Sequence, residues 1–251
     1  MADAAAALLV PKTEGRGGPG REGGNAPSLP TPRPWTFPSR GLAVFHGCGE
    51  TARLSHYFLP RLLMEGERVL FLDGANSADP RLLARLARQR GVAFEQFSRQ
   101  IQIARAFTCF QLTELIARVP RFLADFPARV LVVTALPDLY FDGDVRDWDA
   151  RVAFERALGD LQRYGRGEAF PGQREATAAL PFAVAIFSSS SDFVPAPSRK
   201  RFFQQTCAAA TEEWKFASGE QGRAKLLCLR RASVVSGPLP VGGSSQSTVD
   251  S

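Results

Sequence analysis

The sequence has few of the residues that build metal and thiol sites, and it lacks any long apolar run. Its 251 residues include only four cysteines and two histidines. No two cysteines have metal-ligand spacing and no disulfide framework is evident, so we expect no metal site. The longest apolar stretches, 130–133 and 178–187, are far shorter than the roughly 20 residues that a membrane helix needs. We therefore expect no membrane-spanning segment.

A recognisable export signal is lacking as well. Residues 1–10 carry Asp3 instead of a basic start, and their apolar run is too short for a signal peptide. Together with the few cysteines, this favours the reducing cytoplasm as the location of the protein. Lysine is also scarce, since only four of the 31 basic residues are lysines. The formal net charge of +6 favours polyanionic partners, although a general bias toward arginine explains the same charge.

Glycine and proline divide the chain into three parts. Residues 1–38 are rich in Gly, Pro and Arg and have few large apolar side chains, which predicts a disordered tail. Residues 236–251 are rich in Gly, Ser and Pro and are also predicted to be disordered. The segment between them, 39–235, is predicted to form one domain.

Short apolar runs alternate with helical patterns inside this domain. Strands are predicted at 41–45, 68–73, 101–105, 129–133 and 182–187, with a β-hairpin formed by 213–217 and 224–231. The spacing of apolar residues predicts helices over 51–65, 79–90, 108–119, 147–164 and 199–210. This alternation indicates an α/β fold with a mostly parallel sheet flanked by helices. Ligands of such sheets bind where the strands end, which places 47–51, 73–77, 134–138 and 188–192 along one rim.

A glycine-containing turn follows the first predicted strand and opens the first predicted helix. Its residues are Gly47, Cys48, Gly49, Glu50, Thr51 and Ala52. Backbone N–H groups in such a turn attract phosphate. A functional P-loop ends in Gly-Lys-Ser/Thr, but here Glu50 puts a carboxylate where an ammonium group would contact the phosphates. The pattern predicts a degenerate nucleotide-binding loop.

Several downstream segments carry a family resemblance. An apolar strand and turn at Val69–Asn76 are followed by a helical stretch at Pro80–Gly91. Next, Ile101–Gln111 reads Ile-Gln-Ile-Ala-Arg-Ala-Phe-Thr-Cys-Phe-Gln. These segments resemble the core of the RecA/RadA recombinase ATPases, and Val130–Phe141 resembles the family's Walker B strand with its exit. The resemblance extends along 40–232 and implies a RecA-like P-loop NTPase core with a C-terminal β-hairpin.

The resemblance also implies that three chemically important positions are replaced. Glu50 stands in place of the phosphate-binding Lys, and Ala75 in place of the Glu that activates water. Thr134 ends the Walker B strand where an Asp would hold the magnesium shell. Because phosphoryl transfer depends on positioning and charge stabilisation, losing all three groups leaves little to catalyse it. We therefore expect a non-catalytic protein without a bound cofactor.

An active enzyme that uses ATP and Mg²⁺ stays open as an alternative. Thr51 is retained and would serve as a magnesium ligand, and Asp73 or Asp138 would substitute for the missing carboxylates. The plainer interpretation of these residues is structural. Asp73 would cap the turn at a strand end, and Asp138 would belong to a solvated loop.

The resemblance places mobile DNA-binding loops near 165–178 and 188–201. Their basic residues are Arg166, Arg174, Arg199, Lys200 and Arg201. Basic groups contact phosphates and phenylalanines stack on unpaired bases, so Phe202 and Phe203 are candidates for stacking. In the alternative interpretation, both phenylalanines pack into the core.

The hypothesis from the sequence is a non-catalytic, RecA-like accessory protein of bacterial-style DNA repair or recombination. It would bind a protein partner of such a complex, or DNA. A divergent ATP-binding, DNA-dependent ATPase is one alternative, and an assembly scaffold with neither ligand is another. Residues 1–38 contain no convincing Phe-x-x-Ala-type polymerisation peptide, and oligomerisation stays open.

Overall fold

A seven-stranded sheet forms the centre of the protein. The computed structural model describes residues 40–47, 49–168, 182–189, 195–218 and 224–231. The strands are β1 (Gly41–His46), β2 (Val69–Asp73), β3 (Ile101–Arg105), β4 (Val130–Thr134), β5 (Ala183–Ser188), β6 (Glu212–Ser218) and β7 (Ala224–Arg231). They lie in the order β3-β2-β4-β5-β1-β6-β7. All neighbouring pairs are parallel except β6 and β7, which form an antiparallel hairpin.

Helices cover both faces of this sheet. They are α1 (Thr51–Leu54), α2 (Leu59–Met64), α3 (Pro80–Gln89), α4 (Phe94–Ser98), α5 (Cys109–Ala117), α6 (Val119–Asp125), α7 (Asp147–Arg166) and α8 (Arg201–Ala209). The predicted mostly parallel α/β sheet, its flanking helices and its C-terminal hairpin are therefore confirmed. The two predicted tails lie outside the described residues. None of the helices in the described ranges combines the length and apolarity needed to cross a membrane.

Two apolar clusters attach the helices to opposite faces. On the first face, side chains of β1 and β2 pack against Phe58 and Leu62, which precede β2, and against Leu83 of α3. Phe154 of α7 and Phe202 of α8 pack with the residues that point to the second face. The chain thus leaves β1 and β2 toward one face, and leaves β3, β4 and β5 toward the other. This arrangement follows from strands that are buried on both sides, as their continuous apolar sequences indicate.

The first predicted helix is interrupted. Instead of one helix over 51–65, the chain forms α1, a 3₁₀ turn at Ser55–Tyr57, and α2. Pro60 has no N–H group, and its ring would clash with a preceding carbonyl inside a continuous helix. It therefore lies in the first turn of α2, where the missing N–H costs nothing.

The third helix begins and ends as its sequence predicts. The Asp79 carboxylate accepts hydrogen bonds from the backbone N–H groups of Arg81 and Leu82, at 2.9 and 3.1 Å. Pro80 occupies the first turn. Gly91 follows the helix with a φ of +68°, a left-handed conformation that glycine adopts easily. This well-defined start of α3 helps to fix the turn that follows β2.

Candidate functional site

The glycine-containing loop lies at the junction of β1 and β5, at the carboxyl edge of the sheet. These neighbouring strands lead to helices on opposite faces, and ligands of α/β proteins bind in the crevice that such a divergence opens. Hydrogen bonds connect the two strand ends. The Gly47 N–H donates to the Ser188 carbonyl at 3.3 Å, and the Ser189 hydroxyl donates to the Gly49 carbonyl at 2.9 Å. The structure therefore brings these predicted rim segments together.

Glycine is required at the two glycine positions of this loop for different structural reasons. A Cβ atom on Gly47 would lie 2.9 Å from the Phe216 backbone oxygen and side chain, and 3.0 Å from the Thr51 hydroxyl. Only glycine fits this close approach. Gly49 has a φ of +65°, which favours glycine for conformational reasons. Thr51 and Ala52 are buried, and Cys48 lies outside the described residues.

The mouth of the loop carries negative charge. The Glu50 side chain is 75% exposed, and its carboxylate lies 3.4 Å from the Arg53 guanidinium. Arg53 also lies 3.4 Å from the carboxylate of Asp79. One cation is thus shared between the exposed carboxylate of Glu50 and the half-buried carboxylate of Asp79, so the entrance is acidic where a phosphate loop requires positive charge. Such exposed ion pairs contribute little to stability, so their main effect here is on the local potential.

The first predicted substitute carboxylate, Asp73, is fully buried at the end of β2. It accepts hydrogen bonds from the N–H and hydroxyl of Ser77, at 2.9 and 3.2 Å, and from the Ala78 N–H at 2.9 Å. The Thr134 hydroxyl donates to it at 3.1 Å, and the Arg105 guanidinium lies 3.4 Å away. These contacts match the interpretation of Asp73 as a residue that caps a strand-end turn.

Two of the positions that the resemblance singled out, Ala75 and Thr134, are in direct contact. The Thr134 hydroxyl donates to Asp73 and accepts a hydrogen bond from the Ala75 N–H at 3.1 Å. Gly74 fits against this junction, because a Cβ atom there would lie 2.6 Å from the Thr134 carbonyl oxygen. Asp73, Thr134 and Ala75 thus form a closed hydrogen-bonded chain, which we call the β2–β4 lock.

The second predicted substitute carboxylate, Asp138, joins β4 to β5. It accepts a hydrogen bond from the Ser188 hydroxyl at 2.6 Å and another from the Ser189 N–H at 2.8 Å. It lies in the 3₁₀ turn Asp138–Phe141 and is half-buried. The expectation of a solvated loop therefore needs correction, since this carboxylate binds the neighbouring strand end.

Arg199 has a different environment from the one that DNA binding requires. Its side chain is only 3% exposed, and its guanidinium pairs with the Asp147 carboxylate at 2.8 Å. It also donates to the backbone carbonyls of Tyr140, Asp142 and Val145. We therefore remove Arg199 from the predicted DNA-binding residues, because its donors already satisfy buried carbonyls.

The other predicted DNA-binding residues differ in their placement. Lys200 and Arg201 are exposed at the start of α8. Arg166 is exposed at the end of α7, where it pairs with Glu168 at 3.3 Å. Arg174 lies outside the described residues. The structure thus brings Lys200 and Arg201 together.

The two phenylalanines of α8 point into the protein. Phe202 is buried, with its ring stacked on that of Phe154 at a centroid distance of 4.4 Å. Phe203 is half-buried, and its ring meets the edge of His46 at 5.1 Å. This placement agrees with the alternative in which these residues pack inward.

One group of reactive side chains was missed by the sequence analysis. His46, Cys207 and Glu213 meet between β1, α8 and β6, and their potential ligand atoms all lie within 4.8 Å of one another. Burial lowers the pKa of His46, while the Glu213 carboxylate opposes part of that shift. Burial also raises the pKa of the Cys207 thiol to about 12. No local spacing signals this group, because its members come from distant parts of the chain.

Replacing Arg199 will show whether its role is structural. We expect Arg199→Ala to lower the free energy of unfolding by about 3 kcal/mol, because the buried Tyr140 carbonyl and two partly buried carbonyls lose a charged donor. Arg201→Ala removes an exposed guanidinium two residues away and should change stability by less than about 0.5 kcal/mol. Urea denaturation of both variants measures the difference. Equal effects would contradict the structural role of Arg199.

The buried environment of His56 predicts that the free energy of unfolding decreases in mild acid. Its Nδ1–H donates to the Arg53 carbonyl at 3.0 Å, and its Nε2 accepts from the Asp79 N–H at 3.1 Å. Burial lowers its pKa, although the Asp73 and Asp79 carboxylates oppose the shift. Below the unfolded pKa of about 6.5, the unfolded chain therefore binds more protons than the folded one.

The free energy of unfolding should accordingly decrease as the pH falls from 7.5 to 5, and His56→Gln should weaken this dependence. The measurement is urea denaturation of both proteins at each pH. Asp79, whose pKa is lowered by hydrogen bonds from Leu82 and Arg81, titrates below this window. An identical pH dependence in the two proteins would contradict the assignment.

Comparisons with known proteins do not supply a family. No family model matches the chain, and no curated protein proves similar to it. What the protein does must be inferred from the acidic loop at β1, the β2–β4 lock and the basic start of α8.

Proposed function

We propose that this protein is a non-catalytic, RecA-like accessory protein of DNA repair or recombination that binds a partner protein or DNA. The RecA-like core is part of this proposal. The proposal is supported because the sequence segments that carry the resemblance coincide with elements of the structure. Val69–Asn76 contains β2, Pro80–Gly91 contains α3, and Ile101–Gln111 contains β3 and the start of α5. The glycine-containing loop follows β1 at a crevice where α/β proteins bind ligands.

The β2–β4 lock is the observation that carries the non-catalytic part of the proposal. Phosphoryl transfer needs a group that orients the attacking water and carboxylates that hold Mg²⁺. At the corresponding positions, the Ala75 N–H and the Thr134 hydroxyl are hydrogen-bonded in series to Asp73. The contacts of the Asp73 carboxylate described above are all with protein donors, so binding a cation there would require breaking this set.

The charge at the loop supports the same conclusion. Glu50 adds a carboxylate beside the place where nucleotide phosphates would lie. The Asp79 carboxylate is also nearby, because Arg53 pairs with both carboxylates. Because Glu50 is largely exposed, water screens its repulsion of phosphates, and the absence of an ammonium group at this position is the larger loss. The loop therefore lies where a phosphate-binding loop would lie, but without the positive charge that phosphates require.

The edge of the sheet at β3 supports the proposal of a protein partner. This strand pairs only with β2 among the described strands, so its other side presents unpaired N–H and C=O groups. Ile103 is 39% exposed, Phe107 66% and Phe110 49%. An open strand with exposed apolar side chains beside it suits a partner that adds a strand to the edge.

DNA binding is favoured by a different feature, the start of α8. Lys200 precedes the helix and Arg201 is its first residue. Two cations at a helix N-terminus oppose the helix dipole, and a phosphate bound there would relieve that repulsion. A divergent ATPase and a scaffold without either ligand remain the competing functions.

Nucleotide titration tests the non-catalytic proposal. We expect a fluorescent ATP analogue with Mg²⁺ to show no binding to the wild-type protein up to millimolar concentration. Glu50→Lys restores the Gly-Lys-Thr order and should increase affinity at least tenfold if the loop has retained its shape. Micromolar binding by the wild type that is lost in a folded Thr51→Ala variant would favour the ATPase instead.

Salt-dependent binding of single-stranded DNA tests the basic start of α8. Lys200→Ala/Arg201→Ala should weaken binding and reduce the slope of log K against log salt by about 1.4, the value for two phosphate contacts. Arg85→Ala/Arg88→Ala removes two exposed cations from α3 and serves as the charge-matched control. Equal losses in both variants would contradict a DNA site at α8.

A further inference from the structure

Three side chains with different ligand atoms meet on the second face of the sheet. His46 is the last residue of β1, Glu213 lies in β6 beside it, and Cys207 lies on α8 above both strands. The His46 Nε2 and the Glu213 Oε1 are 3.3 Å apart. The Cys207 sulfur lies within 4.8 Å of both ligand atoms.

These separations suit a tetrahedral metal site. Zinc binds histidine nitrogen and carboxylate oxygen at about 2.1 Å and thiolate sulfur at about 2.3 Å, so its ligand atoms lie about 3.4–3.6 Å apart in a tetrahedron. The His46–Glu213 separation of 3.3 Å is close to this range. It corresponds to a hydrogen bond, which a bound cation would replace. The sulfur lies within 4.8 Å of the other ligand atoms, so a displacement of about 1.2 Å at most would bring it into the tetrahedral range.

His46 is the most buried member of the group. Its side chain belongs to a residue that is 5% exposed, and its Nδ1 atom has no hydrogen-bond partner among the described residues. Phe203 packs against the ring at 5.1 Å. Glu213 and Cys207 are half-buried, so the group has a route to solvent.

We propose that His46, Cys207 and Glu213 bind one divalent cation of the zinc class, with a fourth position left to water. A nitrogen, a sulfur and an oxygen ligand together select a borderline metal such as Zn²⁺ or Co²⁺ over Mg²⁺ or Ca²⁺. The Cys207 thiol loses its proton to the solvent when the metal–sulfur bond forms. The His46 proton that Nε2 donates to Glu213 moves to Nδ1, so that the neutral imidazole binds the cation through Nε2. The cation would join β1, β6 and α8 directly beside the glycine-containing loop.

Nearby cations restrict how Glu213 takes part. The Arg230 guanidinium lies 3.9 Å from Oε2 of Glu213, and Lys215 lies close enough to influence His46. Since Oε1 faces His46, the carboxylate has one oxygen for the metal and one for Arg230. We therefore expect a single carboxylate oxygen to bind the cation. This inference is independent of the proposed function.

Cobalt titration of the full-length, untagged protein tests the site. After removal of metals with a chelator, Co²⁺ should bind with one equivalent and produce a thiolate-to-cobalt charge-transfer band together with the visible bands of a tetrahedral ion. Zn²⁺ should displace it. Cys207→Ser should abolish the charge-transfer band, whereas Cys228→Ser, at an exposed cysteine of β7, should retain it.

Glu213→Gln provides a second test that preserves side-chain size. It should weaken Co²⁺ and Zn²⁺ binding at least tenfold, because even residues that only orient ligands change metal affinity by about 10–100-fold. Circular dichroism establishes that each variant is folded. The absence of saturable Co²⁺ binding to the wild type would overturn the proposal. So would a charge-transfer band that survives Cys207→Ser, or one that depends on Cys48 or Cys228 instead.

Discussion

A carboxylate that has no contact with water holds the carboxyl edge of this sheet together. Asp73 accepts hydrogen bonds from the turn that leads into α3 and from Thr134 on the neighbouring strand. An uncompensated charge at this depth would be strongly unfavourable, so the surrounding donors are a condition of the fold. The position of Ala75, the close packing of Gly74 and the exit from β4 all depend on this set of bonds.

The same physical rule operates at the other polar groups of the edge. Asp138 binds the end of β5 through Ser188 and Ser189, and Arg199 binds the carbonyls between the 3₁₀ turn and α7. Buried polar groups in proteins are paired with few exceptions. Here the pairing connects one strand exit to the next.

Residues with the reactivity expected of a site occur instead on the second face, where β1, β6 and α8 meet. His46 lies one residue before the glycine-containing loop, yet its side chain points away from the first-face cluster that contains Phe45. Alternation along the strand causes this difference, since successive side chains of a strand point to opposite faces. The loop and the histidine group are thus close in sequence but face different surroundings.

Much of the architecture could be predicted from the sequence. The apolar run at β2, the Asp-Pro start of α3 and the alternation of strands and helices are local signals, and each predicted the element that the structure contains. Pro60 conflicts with the continuous helix predicted over 51–65, but the 3₁₀ turn Ser55–Tyr57 depends on how the surrounding chain packs. The acidic character of the glycine-containing loop also follows from the sequence, because the charge of Glu50 does not depend on the fold.

Only the tertiary structure determines the burial and the hydrogen-bond partners of the polar side chains. Asp73 and Thr134 are 61 residues apart in the chain, and His46 and Glu213 are 167 apart, so no spacing rule relates them. Arg199 stands beside Lys200 and Arg201 in a continuous basic segment. It is the last residue of a 3₁₀ turn at Pro197–Arg199 and is buried, whereas the next two residues are exposed. Local patterns determine which element a residue belongs to. Burial and hydrogen-bond partners determine what its side chain can do, and those arise only when distant strands and helices pack together.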